Sequence, residues 1–362
     1  MTFISLARSM VIDCTKTFWY NKFTLPEKEK ITLKRITIKD VAKEAGVSIT
    51  TVSHALSGQG VLKQETRDRI VELARKMQYI PDWNGQNLKA SGTGMLGFFT
   101  SSISGFYGIL IDAMYNECKA SGYGMEIFIL DDGDLIRLLM GNRVDGAVIL
   151  HSGLKEEHEQ RLRDMEFPVV YLDREIHEKC ASSVLFASYE SGRLAADYLY
   201  SLGHRRILEL CGIDYTYDGE MRQKGFEDRM REIGCPMDPD HILKCYFDRQ
   251  RAYDETSAFI KRGMPLPDAV FAANDDSAFG CIKALQEAGY SVPGDVSVLG
   301  CDDIELSQWY SPALTTIRTR IREQGRLSVK ELVGLVRKEK TGEIYSIAGE
   351  LIERSSCRRK DM

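Results

Sequence analysis

Apolar and polar positions change rhythm along this 362-residue chain. In "TIKDVAKEAGVSITTVSHALSG", Thr37 to Gly58, apolar residues recur at helical spacing in two short sets. These are Ile38/Val41/Ala42/Ala45 and Val52/Ala55/Leu56, on either side of Gly46 and Val47. A third stripe, Ile70, Leu73, Ala74 and Met77, runs through "QETRDRIVELARKM". From Gly94 onward the rhythm becomes an alternation. Short β-rich runs ("MLGFF", "MEIFIL", "GAVIL", "PVVYL", "RRILEL", "DAVFAA", "DVSVLG") are mostly separated by amphipathic stretches such as 107–120, 189–202, 219–233, 251–261 and 277–288. Apolar strands joined by helical crossovers predict parallel sheets covered on both faces. There are too many units for one sheet, so two doubly wound subdomains with a cleft between them are expected. Ligands of such folds bind at the carboxyl ends of the strands.

The three short stripes predict three helices sharing one small core. Thr37, with Asp40 three residues on, reads as a capping box, and Ser48 can cap the second helix. Gly46 supplies the left-handed backbone of a tight corner. The second helix then presents Ile49, Thr50, Ser53 and His54 outward. That is a helix-turn-helix, whose second helix enters the DNA major groove. An ordinary corner between two helices has the same pattern.

Charge sharpens the choice. Residues 31–93 hold ten Lys/Arg against six Asp/Glu, a net +4, whereas residues 94–362 carry a net −11. A basic head on an acidic body suits a protein whose head alone meets phosphate. The nine cysteines are scattered with no CxxC pair, which suits a reducing cytoplasm, and the six histidines lack metal-ligand spacing, so no metal or cofactor is expected. His151 and His158 flank a charged segment and read as solvated. No apolar run is long enough to span a membrane. Arg8, Asp13 and Lys16 break the N-terminal apolar stretch, so it does not read as a signal peptide. Residues 1–35 are read as a flexible extension, or a misassigned start.

Enzymatic signatures are missing. The glycines Gly92, Gly94 and Gly97 match GxGxxG but precede and enter a strand, where a dinucleotide fingerprint follows one. The sequence contains no GxSxG, P-loop or HExxH. The acidic pairs at 131/132, 275/276 and 302/303 suit helix capping or ligand binding better than catalysis.

Together the motifs "TIKDVAKEAGVSITTVSHAL", "ETRDRIVELARKMQYIP", "RVDGAVIL", "LGHRRI", "MRQKGF", "AANDDSAFGCIKALQEAGYSVPGDVSVLGCDDIELSQWYSPALTTIR" and "ELIERSSC" resemble the lactose-repressor/galactose-repressor (LacI/GalR) family of bacterial transcription regulators over about residues 36–357. The resemblance implies a small all-α helix-turn-helix head at 36–80 and a hinge at 81–93. It implies a periplasmic-binding-protein-like α/β core at 94–357, made of two doubly wound parallel-sheet subdomains. Their expected limits are about 94–187 with 319–344, and about 188–318 with 345–357, before a tail at 358–362. The implied partners are a pseudo-palindromic double-stranded DNA operator, a small effector, most simply a carbohydrate, and a second copy of the chain. No heptad-bearing tail follows Cys357, so a dimer is expected rather than the family's tetramer.

Site residues follow from the same alignment of motifs. Ile49, Thr50 and His54 are expected at base edges, and Thr37, Ser48, Thr51 and Ser53 mainly at phosphates. His54 stands where the family usually has Arg, and offers the guanine edge at most one good donor. Leu88 is the implied minor-groove wedge of a hinge helix that folds on DNA. Phe106, Tyr107, Asp173, Arg222, Phe247 and Asp275 are the implied effector contacts. The crossover after "MEIFILDDGD" is shorter than usual for the family. The competing readings are a sugar-binding protein with no DNA role, a corepressor-dependent regulator sensing a purine or sugar phosphate, and an enzyme on an α/β scaffold.

Overall fold

The computed structural model describes residues 36–58, 60–79, 92–103, 105–129, 137, 139, 141, 143–151 and 153–360. They form two units, a head and a core. Leu88 and the rest of the expected hinge helix lie outside the described residues, as does most of the shortened crossover.

The head is three helices, α1 (Ile38–Ala45), α2 (Ile49–Ser57) and α3 (Gln64–Lys76). Thr37 and Asp40 close the expected capping box: the Asp40 carboxylate accepts from the Thr37 amide at 2.8 Å. Gly46 ends α1 in the left-handed region at φ 65°. Ser48 then accepts from the Thr51 amide at 3.1 Å, which starts α2. Caps of this kind are worth about 1 kcal/mol each, which matters in helices of eight and nine residues. Val41, Ala42, Ala45, Val52, Ala55, Ile70 and Ala74 make the core, all on the stripes read from the sequence.

The core holds β1 (Met95–Thr100), α4 (Phe106–Ala120), β2 (Gly124–Ile129), β3 (Gly146–Leu150), α5 (Glu156–Asp164), β4 (Val169–Tyr171) and β5 (Ala181–Phe186). Next come α6 (Ser188–Ser201), β6 (Ile207–Cys211), α7 (Tyr217–Glu232), β7 (Ile242–Lys244), α8 (Arg249–Lys261), β8 (Ala269–Ala272), α9 (Asp275–Glu287) and β9 (Ser297–Asp302). The chain closes with α10 (Leu306–Trp309), β10 (Thr315–Arg318), α11 (Ile321–Val336), β11 (Ile344–Ile347) and β12 (Glu350–Ile352). The strands form two six-stranded sheets, ordered β11-β5-β4-β3-β1-β2 and β12-β10-β9-β8-β6-β7. All pairings are parallel except β10 with β12.

The chain passes between sheets three times. The first two crossings come after β5 and after β10. Before the third, β11 completes the first sheet beside β5, with Ile347 opposite Phe186. The crossing is at Ala348–Gly349, before β12 joins the second sheet. Gly349 fits there because a side chain would press on Ile317, Ser191 and the Arg318 carbonyl.

Candidate functional site

In each sheet the strand order reverses next to the first strand, at β1/β3 and at β6/β8. Those reversals are where a doubly wound sheet opens a crevice at its carboxyl ends. A cavity of about 500 Å³ lies there. Ser101 follows β1, Leu150 ends β3 and His151 follows it, and Asp173 follows β4. From the other sheet come Ile213 after β6, Phe247 after β7, Asn274 after β8 and Asp302 at the end of β9. The first two turns of α4 and α7 add Phe106, Tyr107, Asp218 and Arg222.

Arg222 is the cationic centre of this wall. It is buried, and its guanidinium donates to the Ala273 carbonyl and, at 3.5 Å, to the Ser188 hydroxyl. Its Nε has no partner. The Ser188 hydroxyl in turn donates to Asp218 at 2.6 Å. Burial pushes the Asp218 carboxyl up, against the pull of Arg222. Asp302 is pushed well above the usual carboxylate range by burial, again with Arg222 pulling the other way. Its backbone sits at φ 124°, outside the ordinary regions for a non-glycine residue.

Aromatic rings complete the wall. Phe106 meets Tyr107 and Phe186 edge-on, with ring centres 5.5 and 6.1 Å apart. Phe247 lies over Gly212, where any side chain would strike its ring. The Arg222 guanidinium stands 5.9 Å from the Phe247 ring centre. Tyr246 and Phe247 hold φ of 55° and 62°. Left-handed backbone at non-glycine residues costs about 1–3 kcal/mol each and gathers at functional sites. The Asn274 amide donates to the Phe247 carbonyl at 3.1 Å and fixes this turn.

Five of the six residues expected at the effector line the cavity: Phe106, Tyr107, Asp173, Arg222 and Phe247. Asp173 does so as an ion pair, its two oxygens held by Arg174 at 2.9 and 3.0 Å. Asp275 differs. It is fully buried and turned away from the cavity. Its carboxylate accepts from the Ile304 amide at 3.0 Å and from the hydroxyls of Ser307 and Thr316 at 2.5 and 2.6 Å. Its neighbours Asn274 and Asp276 face the cavity instead. His151 is a second correction. It is 3% exposed and lines the cavity, whereas a solvated side chain was expected. His158 is half-buried. Asp218, Tyr246 and Gln324 on the cavity wall have no signal in the sequence reading, which names Asp302 only within the 302/303 acidic pair, for capping or ligand binding. For Asp302 the signal was present, an acid at the end of an apolar strand.

On the head, Thr37, Ser48, Ile49 and Thr50 are exposed, and Thr51, Ser53 and His54 are half-buried. The His54 ring is folded against Gly60, where an added side chain would clash with it. Arg67 braces the same turn through the His54 and Gly60 carbonyls at 3.2 and 3.4 Å. Thr50 and Ile49 thus stand clear, while His54 is partly engaged. Among the described residues no cluster of His, Cys, Asp or Glu could hold a metal ion. None of their helices is long and apolar enough to cross a membrane.

Comparison with known proteins finds relatives of both the head and the core. The family described as bacterial regulatory proteins, lacI family, matches residues 37–82. A periplasmic binding protein-like domain matches residues 196–357. The chain is 33% identical to the HTH-type transcriptional repressor PurR of Vibrio parahaemolyticus, over 89% of this chain and 99% of the relative. The lac repressor dimer bound to operator and the anti-inducer ONPF superposes with TM-score 0.76 at 25% identity, over 90% of this chain and 99% of that one. A LacI-family regulator from Enterococcus faecium with bound ribose superposes with TM-score 0.68 at 26% identity, over 74% of this chain and 100% of that one.

Proposed function

The chain belongs to the lacI family of bacterial regulatory proteins, and on that footing we propose that it is a repressor whose operator affinity is set by a sugar bound in the core cleft. The cavity walled by Arg222, Asp302 and the Phe106, Tyr107 and Phe247 rings carries this reading. Carboxylates and a guanidinium pair with sugar hydroxyls, and aromatic faces cover the apolar side of a pyranose. The ribose bound to the Enterococcus regulator supports the same class.

On the head, Thr50 and Ile49 read base edges, with His54 beside them once its ring leaves Gly60. Thr37, Ser48, Thr51 and Ser53 meet phosphates. Leu88 serves as the minor-groove wedge. The working unit is a homodimer on a pseudo-palindromic operator in the bacterial cytoplasm. Exposed apolar residues on the core suit self-association: Ile127 and Ile129 on β2, Tyr115 on α4, and Leu306 and Trp309 on α10.

A gel shift with genomic fragments, with and without a panel of sugars, sugar phosphates and purines, tests the reading. The expected result is a specific complex whose mobility shift responds to a sugar. A complex that responds only to a purine or sugar phosphate would transfer the cleft to the corepressor reading. Sugar binding with no DNA complex would leave a binding protein without a regulatory role.

A further inference from the structure

The cleft wall holds more acidic side chains than basic ones to pair them. It has Asp173, Asp218, Asp248, Asp276 and Asp302 against Arg222 and Arg249. Two of the acids are neutralised locally: Asp173 by Arg174, and Asp276 by Arg249. Asp248 is occupied as the cap of α8, accepting from the Arg251 amide at 2.7 Å. Asp218 and Asp302 remain on the wall with Arg222 as the one guanidinium beside them; burial favours their protonated forms, and a cationic ligand would supply the counter-charge that returns them to carboxylates.

Hydrogen-bonding capacity is lopsided in the same sense. Gln324 is 1% exposed and lines the cavity. Its amide nitrogen donates to the Val184 carbonyl at 2.8 Å, which leaves its oxygen as a buried acceptor with no partner. The Asn274 amide nitrogen is likewise committed to the Phe247 carbonyl. The acceptors that remain need donors from the ligand. A buried polar atom left without a partner is costly, and a buried carboxylate without a counter-charge more so.

Resting on the sugar reading above, we propose that the cleft selects a sugar bearing a protonated amine, with Asp218 and Asp302 as the charge-selecting pair, and rejects uronates and sugar phosphates. An ammonium group brings three donors and the missing positive charge. A carboxylate or phosphate would bring negative charge to a wall whose acids outnumber its cations, and would offer acceptors where donors are needed. One misplaced unit charge at contact range there changes affinity at least about tenfold.

Calorimetry on the full chain tests this with two matched series: glucose, glucosamine, N-acetylglucosamine and glucuronate, and the four galactose counterparts. In the series that binds, the free amine is expected to be at least about tenfold tighter than the parent hexose. Acetylation, which removes the charge and keeps the nitrogen, should abolish that gain. The uronate should be at least about tenfold weaker than the hexose. In D218N and D302N the spread between amine and uronate should narrow, whatever the absolute affinities. A hexose that binds as tightly as its amine, or a uronate that matches either, overturns the charge selection while leaving the sugar reading intact. If no sugar of either series binds, the sugar reading itself fails and this inference with it.

Discussion

The Thr316 hydroxyl donates to the Asp275 carboxylate at 2.6 Å, joining α9 to β10 inside the second sheet's core. Ser307 and the Ile304 amide complete the grip. A side chain that motif resemblance offers to the effector is therefore a structural bolt. Replacing Asp275 by Ala leaves three buried donors unpaired, each worth about 1–3 kcal/mol. The expected loss of stability is about 3 kcal/mol or more by urea denaturation, and sugar affinity of the folded protein should change less than about threefold. A stable variant with selectively weakened sugar binding would return Asp275 to the cleft.

Arg222 is the contrasting case, since it faces the cavity with a free Nε. Arg222→Ala should weaken sugar binding by about 1.5–3 kcal/mol, roughly tenfold or more. Operator affinity without sugar should stay within about threefold, because the partners of Arg222, Ala273 and Ser188, belong to the core. Calorimetry and operator titration on one preparation separate the two effects.

The difference between these two residues shows how far the sequence was legible. Helices followed from one-faced periodicity, strands from short apolar runs because these parallel strands are buried on both faces, and the capping box from the Thr37–Asp40 spacing. The cavity's location followed from strand-end topology. What could not be read is rotation about a helix start. Asn274, Asp275 and Asp276 are consecutive, and successive residues of a helix point about 100° apart, so only packing decides which one enters the core. His151 was misjudged because neighbouring charges suggested solvent, whereas the end of β3 places it at the cavity. Asp218 and Gln324 lie on helices whose turn toward the cleft depends on the other sheet.

Glu209 gives a pH signature. It sits in mid-β6 between Phe271 and Ile242, 2% exposed, with one oxygen unpartnered. Burial holds its carboxyl well above the usual 4.5, so it is protonated in the fold more readily than in the unfolded chain. A raised folded pKa means that its stabilising contribution is complete below about pH 4.5 and is lost as pH rises toward the folded value. Glu209→Gln removes that loss. Relative to wild type the variant should therefore gain stability as pH rises from 5 to 8, read as a growing difference in melting temperature. A difference that stays constant with pH would mean that Glu209 finds a counter-charge.

On the head, Thr50 is exposed at the start of α2 and free of the Ser48–Thr51 cap. Thr50→Ala should alter the preferred operator sequence, with base discrimination changing by about 1–3 kcal/mol at one position of each half-site. Selection from a randomised operator library reads this directly. An unchanged preference with uniformly weaker binding would assign Thr50 to phosphate contact.

The central claim is that occupancy of the cleft sets operator affinity. Fluorescence anisotropy titration of a labelled operator, with and without a saturating concentration of the sugar found by calorimetry, measures it most directly. Coupling between sites in such proteins is typically 1–3 kcal/mol, so the operator Kd should shift at least about fivefold, and the shift should vanish in Arg222→Ala. The same Kd with the cleft filled as with it empty would contradict the account.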